Sequence, residues 1–420
     1  MKKHIKTLKP TAFRVLILAI FTLFLVGIIG YARGYRLDFR KKLLTSTGIL
    51  AVNSYPQAAK VYLKDSSGTS RLQGATSINL NLSPGTYTVE IKKEGYTSFS
   101  KTVTLKGEIV QSVDALLFPI NPSLSPLSNL GIVKAVQVDQ TDSILLFTDT
   151  GDPAKDGIYI YESGQKVLSF LPPLTPLLLK SALPNPDRLD FTKSNVTFSY
   201  DYKQAVIDFT LTDGQTASYL ISMSTSNQQP FDVTGSTDTL FAAWEEERVK
   251  ETNKILEALP EDMRKVASDS FHIVSVSPDE TKILYKAKSP NNLPLVLNPP
   301  LIGANQNPEN RNLVTDKMYV YDKKEDKNFR IENPNDQVPI SKQVPTLNVP
   351  LWYPDSKHFV ISGDKEISVI DYDGTNRQPV YSGPYEQEFV GVNSDGKLLV
   401  LINLNPQANK FPDLYSVGIK

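Results

Sequence analysis

Ser83-Pro84-Gly85-Thr86-Tyr87-Thr88-Val89-Glu90-Ile91-Lys92-Lys93-Glu94-Gly95-Tyr96 decides how the first folded segment of this chain is read. Pro-Gly predicts a tight turn, because Pro fixes one φ and Gly accepts a positive φ after it. Tyr87, Val89 and Ile91 then alternate with Thr86, Thr88 and Glu90. A period of two places them on opposite faces, as in a half-buried strand. Gly95-Tyr96 predicts a second turn, with an aromatic ring to close the core.

Similar runs lie on both sides. Gly48–Ser54, Ala59–Lys64, Ser77–Leu82, Ser98–Leu105 and Glu108–Phe118 read as strands separated by turns. The segment resembles the PEGA module, a small all-β domain of bacterial and archaeal surface proteins. The resemblance rests on Gly48-x-Leu50-x-Val52, on Ala59-Lys60-Val61-Tyr62-Leu63, and on Pro84-Gly85-Thr86-Tyr87 through Gly95-Tyr96. Where the family has Pro-Glu-Gly-Ala, this chain has Pro56-Gln57-Ala58-Ala59. The matching positions are strand, turn and packing residues without a reactive set. We read residues 47–118 as a PEGA-like β-sandwich, and the resemblance implies a surface protein.

The 420 residues allow two or three domains. Cysteine is absent, which excludes disulfides and thiolate metal sites. The three histidines, His4, His272 and His358, are far apart in sequence. Residues 1–42 hold ten Lys or Arg against one acid, Asp38, a net +9; the remaining 35 basic and 44 acidic residues leave −9. An acidic body argues against nucleic acid as a partner, since phosphate needs cations.

Val15–Ala32 carries no charge. Eighteen helical residues span about 27 Å, close to the bilayer core. Arg14 and Arg33 flank the run, and Tyr31 and Tyr35 suit a headgroup belt. Tyr31-Ala32-Arg33-Gly34 lacks a small-x-small cleavage pattern. The expected layout is a cytoplasmic basic tail (1–14), a transmembrane helix (15–32) and a juxtamembrane linker (33–46). Five Lys or Arg lie before the run and five soon after it, so the flanking charges tie; the orientation is what the PEGA resemblance implies, with the bulk of the chain extracytoplasmic on a single-pass anchor in the cell membrane. Residues 119–128, rich in Pro and Ser, read as a linker.

After the linker one pattern recurs: strand, Asp-containing turn, apolar strand. Val276-Ser277-Pro278-Asp279-Glu280-Thr281-Lys282-Ile283 is the clearest copy. Trp352-Tyr353-Pro354-Asp355 and Val392-Asn393-Ser394-Asp395 begin two others, 40 positions apart, and weaker copies start at Phe198 and Val138. Third strands follow, such as Met318–Asp322 and Ile367–Asp371. Four strands at a period near 40 fit a propeller blade. The Ser-Pro-Asp-x-x-Lys-Ile pattern resembles the TolB-type or WD-like repeat. Residues 129–420 are read as a β-propeller of about five or six blades. A strand from near Leu127–Val133 is expected to complete the last blade, because closure removes exposed sheet edges. The fold class is therefore mainly β, with an N-terminal transmembrane helix, a small sandwich and a propeller.

Two insertions interrupt the repeat. Residues 237–268 read as helical: Leu240, Trp244, Val249, Thr252, Leu256 and Leu259 fall on one stripe, Thr237 or Asp238 caps it, and Pro260 stops it. Pro260-Glu261-Asp262 begins a second helix. Trp244, Arg248 and Glu251 are the candidate partner-binding residues, against a plain reading of the helix as propeller packing. Residues 289–315, rich in Pro and Asn, read as a loop over one propeller face.

No nucleophile elbow, phosphate loop or His-Glu-x-x-His motif is present, so no catalytic, cofactor or metal residue is assigned. Asp149, Asp152 and Asp156 are weighed as oxygen ligands for calcium, but they lack EF-hand spacing and read as a plain acidic loop. Asp213-Gly214, Asp373-Gly374 and Asp395-Gly396 read as hairpin turns. Glu245, Glu246 and Glu247 read as a solvated charge run. The expected function is non-catalytic binding or scaffolding at the cell envelope, with a protein or glycan partner on the propeller. The alternatives are a glycan-processing propeller enzyme and a structural spacer.

Overall fold

The computed structural model describes residues 10–32, 35–38, 43–65, 68–138, 141–163, 174–332, 349–363 and 365–420. The chain divides into two compact units, Met1–Leu117 with Leu301–Gln306, and Phe118–Pro300 with Asn307–Lys420. Most of the expected tail (1–9) and parts of the expected juxtamembrane linker (33–34, 39–42) lie outside the described residues. Helix α1 (Pro10–Ala32) starts five residues before the expected span, since Pro is tolerated in a first turn. Its stretch Phe13–Tyr31 is long and apolar enough to cross a bilayer, and none of it is buried against protein. The expected linker also holds a hairpin, β1 (Tyr35–Asp38) paired with β2 (Leu43–Ser46).

The rest of the first unit is a two-sheet sandwich. Its strands are β3 (Gly48–Tyr55), β4 (Lys60–Lys64), β5 (Ser70–Ala75), β6 (Ile78–Leu82), β7 (Gly85–Lys92), β8 (Phe99–Leu105) and β9 (Val110–Leu116). One sheet has the order β6-β3-β9, with β3 and β9 parallel; the other has the order β5-β4-β7-β8. Leu50, Val52, Val61, Val89, Ile91, Val103 and Val113 fill the space between them. Alternation thus sends Val89 and Ile91 inward, with Tyr87 and Tyr96 packed at the margin. Gly95 has φ +78°, as the second turn requires. Gly85 does not adopt a positive φ; it is the first residue of β7, opposite Leu105. β5 was not expected, because Arg71, Gln73 and Gly74 break the apolar alternation on this edge strand. The side chain of Gln306 closes part of the β8 edge: Thr104 N donates to its Oε1 (2.7 Å), and its Nε2 donates to Thr104 O (2.8 Å).

The second unit contains five four-stranded antiparallel sheets. Strand β10 (Ser123–Pro126) belongs to the last of them. The first is β11 (Lys134–Gln137), β12 (Ser143–Thr148), β13 (Gly157–Glu162) and β14 (Leu174–Leu179). The second is β15 (Leu189–Phe198), β16 (Gln204–Leu211), β17 (Thr216–Ser222) and β18 (Phe231–Asp232). Helices α2 (Thr237–Glu257) and α3 (Glu261–Ser270) follow. The third sheet is β19 (Phe271–Val276), β20 (Lys282–Ala287), β21 (Met318–Asp322) and β22 (Lys327–Ile331). The fourth is β23 (Leu351–Trp352), β24 (His358–Ser362), β25 (Ile367–Asp371) and β26 (Gln378–Tyr381). The fifth joins β27 (Val390–Val392), β28 (Leu398–Ile402) and β29 (Asp413–Gly418) to β10, in the order β10-β29-β28-β27. The chain thus closes its last sheet with an early strand, as expected. The strand lies at 123–126, inside the expected linker, rather than at 127–133. Pro126 is tolerated there because β10 is an edge strand.

Middle strands such as Ile144-Leu145-Leu146-Phe147 are buried on both faces. Each sheet is stacked between neighbours, so apolar residues run continuously instead of alternating. One buried cluster joins the first and second sheets, another the third and fourth, and a third the first and fifth. The third sheet's other face, with Ile283, Tyr285, Ala287, Tyr319 and Tyr321, packs against Leu256, Leu259, Met263 and Ala267 of the helical segment. The helices therefore fill the place that a preceding sheet fills elsewhere. The 38 residues between Asp232 and Phe271 are close to one repeat. The helical insertion packs as a wedge against the third sheet, and not as a helix laid on the flank.

Candidate functional site

Both insertions leave the sheets at the same end. In an up-and-down sheet, the connection into a first strand and the connection between second and third strands share one end. α3 enters β19, and residues 288–317 join β20 to β21. The two meet there: Lys288 N donates to Ser270 O (2.8 Å), and Asn291 Nδ2 donates to Ser270 Oγ (3.1 Å). Leu293 and Leu313 of the loop share a buried cluster with Leu259, Met263 and Ala267.

The loop does not simply lie over that end. It runs along the outer strand β22, where Asn310 N donates to Asn328 O (2.7 Å) and Asn328 Nδ2 to Asn310 O (2.6 Å). Its root is an ion cluster around the buried Asp326. Asp326 Oδ2 accepts from Val296 N (2.7 Å) and Leu297 N (2.9 Å), and lies 3.2 Å from Arg311 Nη2. Arg311 Nε lies 3.0 Å from Glu309 Oε2. Tyr321 donates to Asp326 Oδ1 (2.9 Å), and burial together with that carboxylate raises its pKa. Arg311 and Glu309 are the only charged residues between 289 and 315. That isolation is the one signal in the sequence that marks them. Outside the root, Leu295 and Val314 are half exposed, at 53% and 49%.

Of the expected site residues, Trp244 is buried, beside Phe241 at 5.9 Å. It packs within the wedge against Phe241. Arg248 is exposed but committed: Nη1 pairs with Glu245 (3.0 Å), and Nη2 donates to Phe198 O of the second sheet (3.3 Å). Glu251 accepts from Lys254 (2.6 Å). Of the three, Trp244 is turned inward, and Arg248 and Glu251 are each engaged within the structure. Val249, five residues past Trp244, is rotated by about 140° and is 46% exposed, off the expected stripe. Ser236, rather than Thr237 or Asp238, is the N-cap, without a capping side-chain bond. Glu245, Glu246 and Glu247 are paired with Arg248 and Lys250 on the solvent side.

The acidic loop is satisfied from within. Asp156 accepts from Thr150 N, Thr150 Oγ1 and Gly151 N, at 2.8–2.9 Å. Asp152 accepts from Ala154 N, and Asp149 pairs with Lys180 (2.6 Å). Among the described residues, no group of three His, Asp or Glu is placed to hold a metal ion.

The Asp turns explain the repeat. Ser277 Oγ and Thr281 N donate to Asp279 Oδ1, at 2.6 and 3.1 Å, and Lys282 N donates to Ser277 Oγ (2.9 Å). Burial raises the Asp279 pKa, but these bonds outweigh it and hold the carboxyl down to about 2. Ser199 and Asp201 repeat the motif. Three residues past Asp279 and Asp355 stand Lys282 and His358, each at the start of a buried second strand. Each faces the Asp that ends the third strand: Lys282 to Asp322 (3.8 Å) and His358 Nε2 to Asp371 (3.3 Å). His358 Nδ1 also lies 2.7 Å from Asp355 Oδ2. Burial disfavours the imidazolium, but the two carboxylates prevail and raise its pKa to about 9. These cations brace blades. Their place in the repeat was legible, but not their partner on the third strand.

Residues 47–121 match the PEGA domain family. No curated protein matches the chain. Among solved structures, it is similar to a TolB-type protein from Agrobacterium tumefaciens, with 13% identity, 82% of this chain and 78% of that one covered, and a TM-score of 0.20. The Dos1 propeller has 12% identity, with 92% and 82% covered and a TM-score of 0.20. The β-propeller domain of the Trilobed protease from Pyrococcus furiosus has 13% identity, with 86% and 94% covered and a TM-score of 0.19. Residues 47–121 are a PEGA domain, and the sheets that follow it in the chain form a β-propeller with a helical wedge.

Proposed function

We propose that this is a non-catalytic envelope protein that α1 holds in a membrane, with the PEGA domain following the anchor and the propeller binding a protein partner outside the cytoplasm. The observation that carries the reading is the convergence of both insertions at one end of the propeller. There the long loop is fixed at its root by Arg311 and Asp326, yet leaves Leu295 and Val314 in solvent. Exposed apolar side chains on a braced loop suit protein contact, and loops on a rigid scaffold commonly carry binding.

Site-specific photo-crosslinking in intact cells tests this. A crosslinker at Leu295 or Val314 is expected to give one discrete protein adduct. A crosslinker at Lys203, in an Asp turn at the opposite end of the propeller, is expected to give none. Identical adduct patterns from both ends, or none from either, would defeat the reading. Protease shaving of the same cells tests the orientation, with the propeller expected to be cut away from outside.

A further inference from the structure

We propose that the outer face of the PEGA sheet β5-β4-β7-β8 binds an anionic polysaccharide, independently of any partner on the propeller. Val61 and Leu63 point into the core, so Lys60, Tyr62 and Lys64 point outward along β4. The register sets Lys60 opposite Lys92, Tyr62 opposite Glu90, and Lys64 opposite Thr88. The next strand adds Thr102 opposite Thr88 and Thr104 opposite Thr86, with hydroxyl pairs at 3.0 and 3.3 Å.

Three lysines and one acid thus share this face. Glu90 pairs with Lys92 (2.9 Å) at a half-exposed site, where solvent screens the pair. Lys60 and Lys64 are exposed and make no ion pair among the described residues. Like charges directly opposite on neighbouring strands, as Lys60 and Lys92 are, destabilise a sheet. A bound anion would relieve that repulsion. The module's other outer face has no basic residue: it presents Ile49, Ala51 and Asn53 of β3, Asn79 and Asn81 of β6, and Asp114 of β9. The positive charge is therefore one-sided.

The rest of the face favours a sugar chain over a lipid surface. Lys60 and Lys64 lie about 13 Å apart along the strand, with Tyr62 midway. Lys92 Nζ lies 5.6 Å from the Tyr62 ring centre, and Leu72 stands opposite Tyr62 on β5. A cation, a ring and a second cation in line fit an extended chain that carries repeated charges, with a sugar ring over Tyr62. The flanking threonines supply hydroxyls for hydrogen bonds, where an acyl chain would need apolar surface.

The test uses the full chain in phosphatidylcholine nanodiscs, with polygalacturonate as the anionic probe and dextran as the neutral one. Salt-sensitive binding to polygalacturonate and none to dextran is expected. Lys60→Gln, Lys64→Gln and Lys92→Gln together are expected to weaken it at least tenfold, and Tyr62→Ala several-fold, with the β-sheet circular dichroism spectrum of each variant retained. Lys155→Gln, Lys193→Gln and Lys203→Gln, which remove the same charge from exposed propeller sites, are expected to leave it unchanged. Equal loss in both triple variants, equal dextran binding or no polygalacturonate binding would overturn the proposal. So would preference for phosphatidylglycerol vesicles over the polysaccharide.

Discussion

His358 makes the propeller's stability depend on pH in a direction unusual for a buried histidine. Burial alone would keep the ring neutral, but Asp355 lies 2.7 Å from Nδ1 and Asp371 lies 3.3 Å from Nε2. Asp371 is fixed in turn by Asn376 Nδ2 (2.8 Å), and the Tyr353 ring stands edge-on at 6.3 Å. The folded pKa is about 9, against 6.5 for the free side chain. The folded protein therefore holds a proton that the unfolded chain releases earlier. This stabilisation is fully present below pH 6.5 and is lost as pH rises through 9. A shift of that size corresponds to at most about 3 kcal/mol. Urea unfolding of the wild type and of His358→Gln, from pH 6 to pH 10, isolates the effect. The difference in unfolding free energy is expected to favour the wild type by about 2–3 kcal/mol at pH 6 and to shrink toward zero by pH 10. A difference that stays constant over this range, or a His358 ring that titrates at or below pH 7 by NMR, would refute the account.

Asp326→Ala removes the acceptor of two backbone N–H groups and the partner of a buried guanidinium. It is expected to destabilise the propeller by about 3–5 kcal/mol and to speed hydrogen exchange at Val296 and Leu297. Gly396 and Gly214 both have φ near +80°, but a Cβ at Gly396 would meet the Tyr353 hydroxyl at 2.2 Å, while one at Gly214 meets nothing within 4 Å. Gly214→Ala is expected to cost about 1–2 kcal/mol, from the backbone alone; Gly396→Ala should cost more, by denaturant titration of both. Deleting residues 119–134 removes β10 and the buried Ile132. The propeller is then expected to lose its cooperative calorimetric transition, and a truncated chain that melts like the intact one would count against closure through β10.

Much of the architecture was legible where one residue has one structural use. The uncharged run of α1, the alternation of β3, β4 and β7, and the Asp turns at Ser199, Ser277 and Tyr353 each leave the chain a single local solution. Short edge strands were less legible. Ser123-Leu124-Ser125-Pro126 is wholly exposed, so no apolar period marks it as β10. Gly85 looked like a turn residue because it follows Pro, yet the pairing with Leu105 draws it into the sheet. The wedge was legible as helix but not as a replacement for a blade. Only Trp244 and Leu256 of the 21 residues of α2 are buried, and the sequence does not say which neighbour they meet. The same limit applies to the candidate site. Trp244 drew notice by residue type but went inward, while Leu295 and Val314 depend on a loop path fixed by the Asp326 cluster and by hydrogen bonds to Ser270 and Asn328.

The pairing of β10 with β29 also has a consequence in time. Ser123 meets Gly418, 295 residues later in the chain. At a synthesis rate of about 5–20 residues per second, the early strand waits roughly 15–60 s for its partner. During that interval the other four sheets can form in order, but the fifth cannot. The fifth sheet is therefore completed only once Asp413–Gly418 has been made, and a chain interrupted just short of Asp413 would hold the other four sheets and leave β10 without its partner.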